Sequence, residues 1–324
     1  MRVLVTGGAG FIGSATAAAL RDAGHDVVAA DDLSRGRADM VPDGVPLEVV
    51  DVTDAAALEP LLAAGRFDAC LHFAALIEVG DSMERPEAYF RTNTAGTAVL
   101  LEALLRHDVG RFVFSSTAAT YGEPERTPID EEHPQRPTNP YGESKLMTER
   151  MLDWLHARRG LRSASLRYFN AAGAVGRHGE RADDHQTHLI PVALMAVTGA
   201  RPPLKVFGTD WPTPDGTCVR DYIHVADLAD AHVRALDALE REGLVRANLG
   251  NGRGSSVREV LDAVERVTGR PVPHTDEPRR PGDPAVLIAS ADRARDVLGW
   301  APTRDLDRIV GDAWAHLTEG VAPA

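Results

Sequence analysis

The chain has 324 residues, 44% of them apolar and 26% charged, with a formal net charge of −13. That length exceeds one ordinary core and predicts two lobes, and the composition excludes a disordered chain. The acidic balance argues against nucleic-acid or anionic-membrane partners, which select a basic stripe.

From the N-terminus, Val3–Thr6 is predicted as a strand and Ile12–Ala23 as a helix, with Ile12, Ala15, Thr16, Ala19, Leu20 and Ala23 on one face. Asp26–Ala30, Leu47–Val50 and Ala69–Phe73 read as the next strands, with helical pattern over Asp54–Ala64 and Tyr89–His107. Arg111–Ser115 is a fifth strand, and a helix over Tyr141–Arg158 feeds the strand Ala164–Phe169. Such alternation implies right-handed βαβ crossovers and an α/β fold with a doubly wound, parallel, Rossmann-type sheet.

Beyond Asn170 the pattern loosens into Gly-, Pro- and Arg-rich stretches between helical patterns at Val225–Glu240, Val257–Thr268 and Leu306–Thr318. A smaller, mixed α/β substrate lobe is expected there, with Val245–Leu249 returning to the large sheet. The predicted division is 1–170 plus about 224–250 for a dinucleotide, and about 171–223 plus 251–324 for a substrate.

Cys70 and Cys218 are too few for a disulfide framework and fit a reducing compartment. No apolar run approaches the roughly 18–20 residues of a spanning helix. The start, Arg2-Val3-Leu4-Val5-Thr6 and then glycines, is too short for a signal-peptide core. A cytoplasmic protein with no membrane partner is expected.

Gly7-Gly8-Ala9-Gly10-Phe11-Ile12-Gly13 joins the first strand to the first helix. Glycines there let a backbone approach a pyrophosphate, and the helix N-terminus offers free N–H groups and partial positive charge. The spacing is GxxGxxG rather than the general GxGxxG. Asp31, ending the second strand, suits the adenosine ribose hydroxyls and favours NAD over NADP, although Arg35 and Arg37 stand close enough in sequence to meet a 2′-phosphate. Asp51, ending the third strand, is placed to reach the adenine amino group.

Tyr141 and Lys145 are four residues apart, neighbours on one helix face. With five tyrosines and only two lysines (Lys145 and Lys205), YxxxK has a chance expectation of only about 0.03. A phenol of pKa about 10 is a poor base at neutral pH, and a nearby ammonium favours its phenolate. Ser115-Ser116-Thr117 ends the fifth strand, at the carboxyl edge where open α/β sheets bind ligands. A hydroxyl there can hydrogen-bond a reacting carbinol and relay its proton to Tyr141.

The glycine motif, Ser-Ser-Thr and YxxxK in this order resemble the extended short-chain dehydrogenase/reductase family. His72-Phe73-Ala74-Ala75-Leu76, Arg167-Tyr168-Phe169-Asn170-Ala171-Ala172-Gly173, His188-Leu189-Ile190-Pro191, Thr213-Pro214-Asp215-Gly216-Thr217 and Arg220-Asp221-Tyr222-Ile223-His224-Val225 resemble its UDP-hexose 4-epimerases in particular. The resemblance covers essentially the whole chain. It implies reversible C4 epimerisation of UDP-galactose to UDP-glucose, with hydride passing to tightly held NAD and back to a 4-keto sugar that has turned over. Tyr141, Lys145 and Thr117 would be catalytic. Gly7, Gly10, Phe11, Ile12, Gly13, Asp31, Asp32, Leu33, Asp51, Val52, Phe73, Ala74, Ala75, Asn93, Ser115, Tyr141, Lys145 and Phe169 would meet NAD. Thr117, Tyr141, Tyr168, Asn170, His188, Leu189, Phe207, Arg220, Tyr222, Arg280, Asp283 and Leu287 would hold the UDP-sugar. A homodimer through helices around Thr94–Leu105 and Tyr141–Leu155 is also implied.

Two departures stand out. Ile77 occupies a position where some epimerases carry a lysine near the pyrophosphate, and Leu287 stands where some carry a bulky tyrosine. The smaller Leu287 would leave room for an N-acetyl group, so UDP-N-acetylhexosamines, and also UDP-uronates, remain alternative substrates. A 4,6-dehydratase would need an acid after Thr117, where Ala118 and Ala119 stand instead. A net dehydrogenase would accumulate NADH, and a non-catalytic NAD-binding regulator would have no use for Tyr141, Lys145 and Thr117 together. His178, Asp183, Asp184, His185 and His188 match no zinc spacing, so no metal is expected.

Overall fold

The structure is a computed structural model that describes residues 1–183, 186–280 and 282–319. Its centre is a seven-stranded sheet of β1 (Arg2–Thr6), β2 (Asp26–Asp31), β3 (Leu47–Val49), β4 (Ala69–His72), β5 (Arg111–Thr117), β6 (Arg162–Tyr168) and β7 (Leu244–Leu249). The order is β7-β6-β5-β4-β1-β2-β3, and every pairing is parallel. The expected doubly wound sheet is therefore present, and the residues of Val245–Leu249 do return to it as β7.

Both faces of such a sheet are covered, so its strands read as near-continuous apolar runs whose alternate residues enter different cores. Val3 and Val5 face one core with Val113, Leu228, Leu236 and Leu239. Leu4, Phe112 and Phe114 face the other, with Leu58, Leu62, Leu100, Leu104 and Leu152. Helices Phe11–Asp22 and Val225–Glu242 thus lie on one side, and Ala55–Gly65, Thr97–Arg106 and Pro140–Arg159 on the other. Strand order reverses between β1 and β4, and the crevice at their carboxyl ends is where such sheets take ligands.

The single helix expected over Tyr89–His107 is divided into an α-turn at Pro86–Tyr89, a π-helical stretch at Phe90–Gly96 and an α-helix at Thr97–Arg106. A widened turn keeps the helical spacing of apolar residues nearly intact, so periodicity alone does not reveal it. The strand Arg111–Thr117 includes the whole Ser-Ser-Thr run, extending two residues beyond the expected Ser115.

Residues 170–223 and those after Gly250 build smaller sheets. Asn170–Ala172 pairs with Tyr222–His224, Leu204–Phe207 with His274–Glu277, and Val219–Arg220 lies between Ser255–Ser256 and Val286–Leu287. They pack with helices Leu189–Thr198, Val257–Thr268 and Leu306–Glu319 around Ile190, Leu194, Val260, Val264, Ile309 and Val310. Helices Leu189–Thr198 and Asp292–Leu298 were not anticipated. Among the described residues, no helix is long and apolar enough to cross a membrane.

Candidate active site

The turn after β1 is built for close approach. Gly7 has φ +70°, and a Cβ on it would lie 2.5 Å from Ala74 N, so the turn presses on the Phe73–Ala75 segment after β4. A Cβ on Gly13 would lie 2.1 Å from Gly7 O. Gly10 precedes the helix beginning at Phe11 and Ile12, whose N-terminus has no side-chain cap. Its leading N–H groups therefore face the crevice with no side-chain acceptor, as an anion site requires.

Asp31 closes β2, nearly buried, with Oδ2 accepting from Ala9 N at 3.0 Å and Oδ1 from Leu33 N at 2.9 Å. Each oxygen keeps a further lone pair for a ribose hydroxyl. Burial raises the Asp31 pKa, and the two backbone donors offset part of that rise. Arg35 is paired with Glu78 at 2.7 Å, and Arg37 with Asp39. Both cations near Asp31 are thus engaged, which suits a ribose without a 2′-phosphate. Asp32 accepts from Ser34 N at 2.9 Å, and Asp51 Oδ1 from Thr53 N at 2.8 Å, each shaping its strand-end turn beside Leu33 and buried Val52. This cradle fits NAD.

Across the crevice, helix Pro140–Arg159 carries Tyr141 and Lys145. Asn139 caps it, its Oδ1 accepting from Gly142 N at 2.8 Å. A Cβ at Gly142 would lie 2.5 Å from Ala119 O, so the first turn sits directly on the segment that follows Thr117. Lys145 is buried, its Nζ donating to Ser115 O at 2.9 Å and lying 4.9 Å from the Phe114 ring centroid. Ser115 Oγ is hydrogen-bonded to Tyr168 OH, and Tyr141 meets Tyr89 edge-on at 6.4 Å.

The YxxxK spacing predicts a depressed phenol; the structure corrects this. Burial pushes the Tyr141 pKa up, and the Thr117 hydroxyl is the group that pulls it back. Burial also pulls Lys145 down to about 7, so desolvation dominates both groups.

Asn93 lies in the π-helical stretch, with Oδ1 accepting from Leu76 N and Nδ2 donating to Leu76 O, both at 2.9 Å, and to Ser144 Oγ at 3.0 Å. It ties the segment after β4 to the Tyr141 helix. Ile77 beside it is exposed.

On the substrate side, Arg220 Nη1 donates to Pro284 O at 2.8 Å, and Asp283 lies 3.8 Å from Nη2. Arg280 stacks on Phe207 at 4.3 Å. The Cys218 thiol, raised mainly by burial, also feels Arg220, Asp283 and Arg280, which brings these three charges into one neighbourhood. Leu287 pairs with Arg220 and packs on the cluster of Ala118, Tyr121, Ile129, Phe169 and Ala289. It thereby approaches the end of β5. Asn170 pairs with Tyr222 and donates from Nδ2 to Asp221 O at 2.9 Å. His188, just before Leu189, is paired with Glu180, whose carboxylate raises its pKa. Of the residues weighed for a metal, Asp184 and His185 lie outside the described residues.

Two features escaped the sequence reading. Asp221 is fully buried and accepts from Asn251 N, Gly252 N and Ala289 N at 2.6, 3.0 and 3.1 Å, fixing the crossing between lobes. Glu149 and Arg167 form a buried pair beneath Ser116. Glu149 carried a signal: it stands four residues after Lys145 and eight after Tyr141.

A Rossmann sheet, a dinucleotide cradle at its switch point and a Thr-Tyr-Lys cluster define a nicotinamide-dependent enzyme. The model of the NAD dependent epimerase/dehydratase family matches residues 3–250. The UDP-glucose 4-epimerase of Azospirillum brasilense is 55% identical over 316 residues, 96% of this chain and 90% of that one. The crystal structure of UDP-glucose 4-epimerase from Stenotrophomonas maltophila, with bound NAD and formylated UDP-arabinopyranose, superposes with TM-score 0.95 at 40% identity, covering 99% of this chain and 98% of the other. The UDP-Glc/GlcNAc 4-epimerase of Campylobacter jejuni follows with TM-score 0.87 at 39% identity, over 98% and 99%. The chain belongs to the NAD dependent epimerase/dehydratase family.

Proposed function

We propose that the protein interconverts UDP-galactose and UDP-glucose by epimerisation at C4. The observation that carries this reading is the meeting of Thr117 and Tyr141, with Lys145 beside them, at the carboxyl end of β5, next to the dinucleotide crevice. In this reading Tyr141 takes the proton of the sugar 4-hydroxyl as a phenolate, and Thr117 hydrogen-bonds the same oxygen. The Thr117 hydroxyl, the Lys145 ammonium and the positive nicotinamide of bound NAD⁺ together offset the burial that raises the Tyr141 phenol. NAD⁺ held by the Gly7–Gly13 turn and Asp31 would supply a reversible hydride acceptor for the hydrogen at C4. Lys145 supplies positive charge beside the nicotinamide ribose and Tyr141. The diphosphate is held by charge-assisted contacts from Arg220 and Arg280, so the sugar is gripped by its tail and the 4-keto pyranose is free to turn. Residues 1–170 with 224–250 serve the dinucleotide, and 171–223 with 251–324 serve the UDP-sugar.

Leu287 supports a second substrate class. It pairs with the strand of Arg220 and packs beside Ala118 and Phe169, and a side chain smaller than tyrosine at that place would leave space for an N-acetyl group. We further assign the protein to the cytoplasm as a homodimer, with exposed Met147 and Trp154 on helix Pro140–Arg159 near the contact.

Purified protein incubated with UDP-galactose and no added cofactor is expected to form UDP-glucose without net NADH, and to convert UDP-GalNAc as well. Failure with UDP-galactose even after NAD⁺ is added would overturn the main reading. Conversion of UDP-galactose alone would remove only the second.

A further inference from the structure

Tyr141, Lys145 and Glu149 are spaced four apart and share the face of helix Pro140–Arg159 that packs on the sheet. An i, i+4 lysine and glutamate in a buried setting is ordinarily an ion pair. Here it is not: Lys145 Nζ is bonded to Ser115 O, and the Glu149 carboxylate is occupied elsewhere. Arg167 of β6 reaches it with a bidentate fork, Nε to Oε1 at 2.9 Å and Nη2 to Oε2 at 2.6 Å. Ser116 Oγ donates to Oε1, and Gln135 Nε2 to Oε2 at 3.3 Å. Arg167 is itself fixed, its Nη1 donating to Tyr121 OH at 2.8 Å, while Tyr121 donates to Asn248 Oδ1 at 2.7 Å. Arg167 and Glu149 are both nearly inaccessible to solvent.

We propose that Arg167 is a positioning residue that claims the Glu149 carboxylate, so that Lys145 stays free to serve Tyr141 and the cofactor ribose. This inference rests on the function proposed above. The fork engages both carboxylate oxygens at once, which a lysine at that place could not do, and Ser116 and Gln135 take up their remaining lone pairs. Without it, Glu149 would take the ammonium one helical turn away and draw it from Ser115 and the reacting phenol.

The other titratable groups around Lys145 leave Glu149 as its competitor. His72 on β4 is held neutral, mainly by burial and also by Lys145 itself. Tyr168 on β6 is neutral because burial raises its phenol, and Tyr89 is raised likewise. Arg167 lies on β6 in register with Ser116.

The test uses the full-length protein and two readouts. Because Lys145 and exposed Lys205 are the only lysines, isotope-labelled lysine gives two side-chain signals, and the buried Lys145 is expected to be the one that titrates below the usual range. Arg167→Met is expected to move the Lys145 titration upward, to lower kcat roughly 10²-fold and to leave KM for UDP-galactose nearly unchanged. Glu149→Gln/Arg167→Met, which removes the competitor as well, is expected to return the titration and most of kcat. Should Arg167→Met not fold, Arg167→Gln keeps a polar side chain without the fork and adds no third lysine, and the Lys145 signal should again move up. An unmoved Lys145 titration in either single variant, or a double variant as impaired as Arg167→Met, would overturn the proposal. If the wild-type protein does not turn over UDP-galactose, the proposed function fails, yet the titration still decides the role of Arg167.

Discussion

Lys145 shows how one side chain can work against stability. Its pKa falls from the usual 10.5 to about 7 because burial removes water from the ammonium. Between those two values the unfolded chain binds more protons than the folded one, so this residue's contribution to stability rises with pH through that window. Below about pH 7 the burial penalty is felt in full. Lys145→Met should therefore raise unfolding free energy by on the order of 3 kcal/mol at pH 6, with the gain fading toward pH 10, and should abolish turnover. Denaturant melts of both proteins at pH 6 and pH 9 check this, and a variant destabilised equally at both would show that the lysine is held by favourable contacts instead. The pairing of Tyr141 with Lys145 was legible from spacing and from the scarcity of lysine. The direction of the phenol's pKa was not, because it depends on desolvation created only by tertiary packing.

Helix Pro140–Arg159 sets the distance between Tyr141 and Thr117 through its first turn. Gly142 allows that turn to rest on Ala119, and a methyl group there would stand 2.5 Å from a backbone oxygen. Gly142→Ala should push the helix outward by a fraction of an ångström and lower kcat roughly 10²-fold, as small misplacements of reacting groups do. Steady-state kinetics would show the loss in kcat, and an unchanged kcat would mean that the helix start tolerates the shift. The helix itself was expected over Tyr141–Arg158, and in the structure Asn139 caps it, Pro140 opens it and Gly160 closes it in the left-handed conformation. The π-helical stretch Phe90–Gly96 was not, since the residues that widen it meet partners distant in sequence: Gly96 faces Thr53, and Asn93 faces Leu76 and Ser144. Likewise Arg167 and Glu149 lie on different elements, and nothing local to either segment announces their pairing.

At the scale of the whole molecule, the large sheet was legible because most of its strands are buried runs separated by crossover helices. The exception is the largely exposed β3, which follows β2 after only a short 3₁₀ turn at Ala38–Met40. The substrate side was less so. Its strands are two to four residues long and pair across large sequence gaps, as Val219–Arg220 does with Val286–Leu287. Those pairings bring Leu287 and Arg220 to the mouth of the crevice, where a UDP-sugar would lie between diphosphate and phenol. The net charge of −13 is overcome there by local devices: the bare helix start at Phe11 and the cations Arg220 and Arg280. In the proposed reaction the hydrogen at C4 leaves the sugar and returns to the same carbon within one binding event, a transfer that a held nicotinamide mediates. Its most direct test is conversion of UDP-[4-²H]galactose in ordinary water. The expected product is UDP-glucose that keeps deuterium at C4; UDP-glucose with protium at C4 would contradict it.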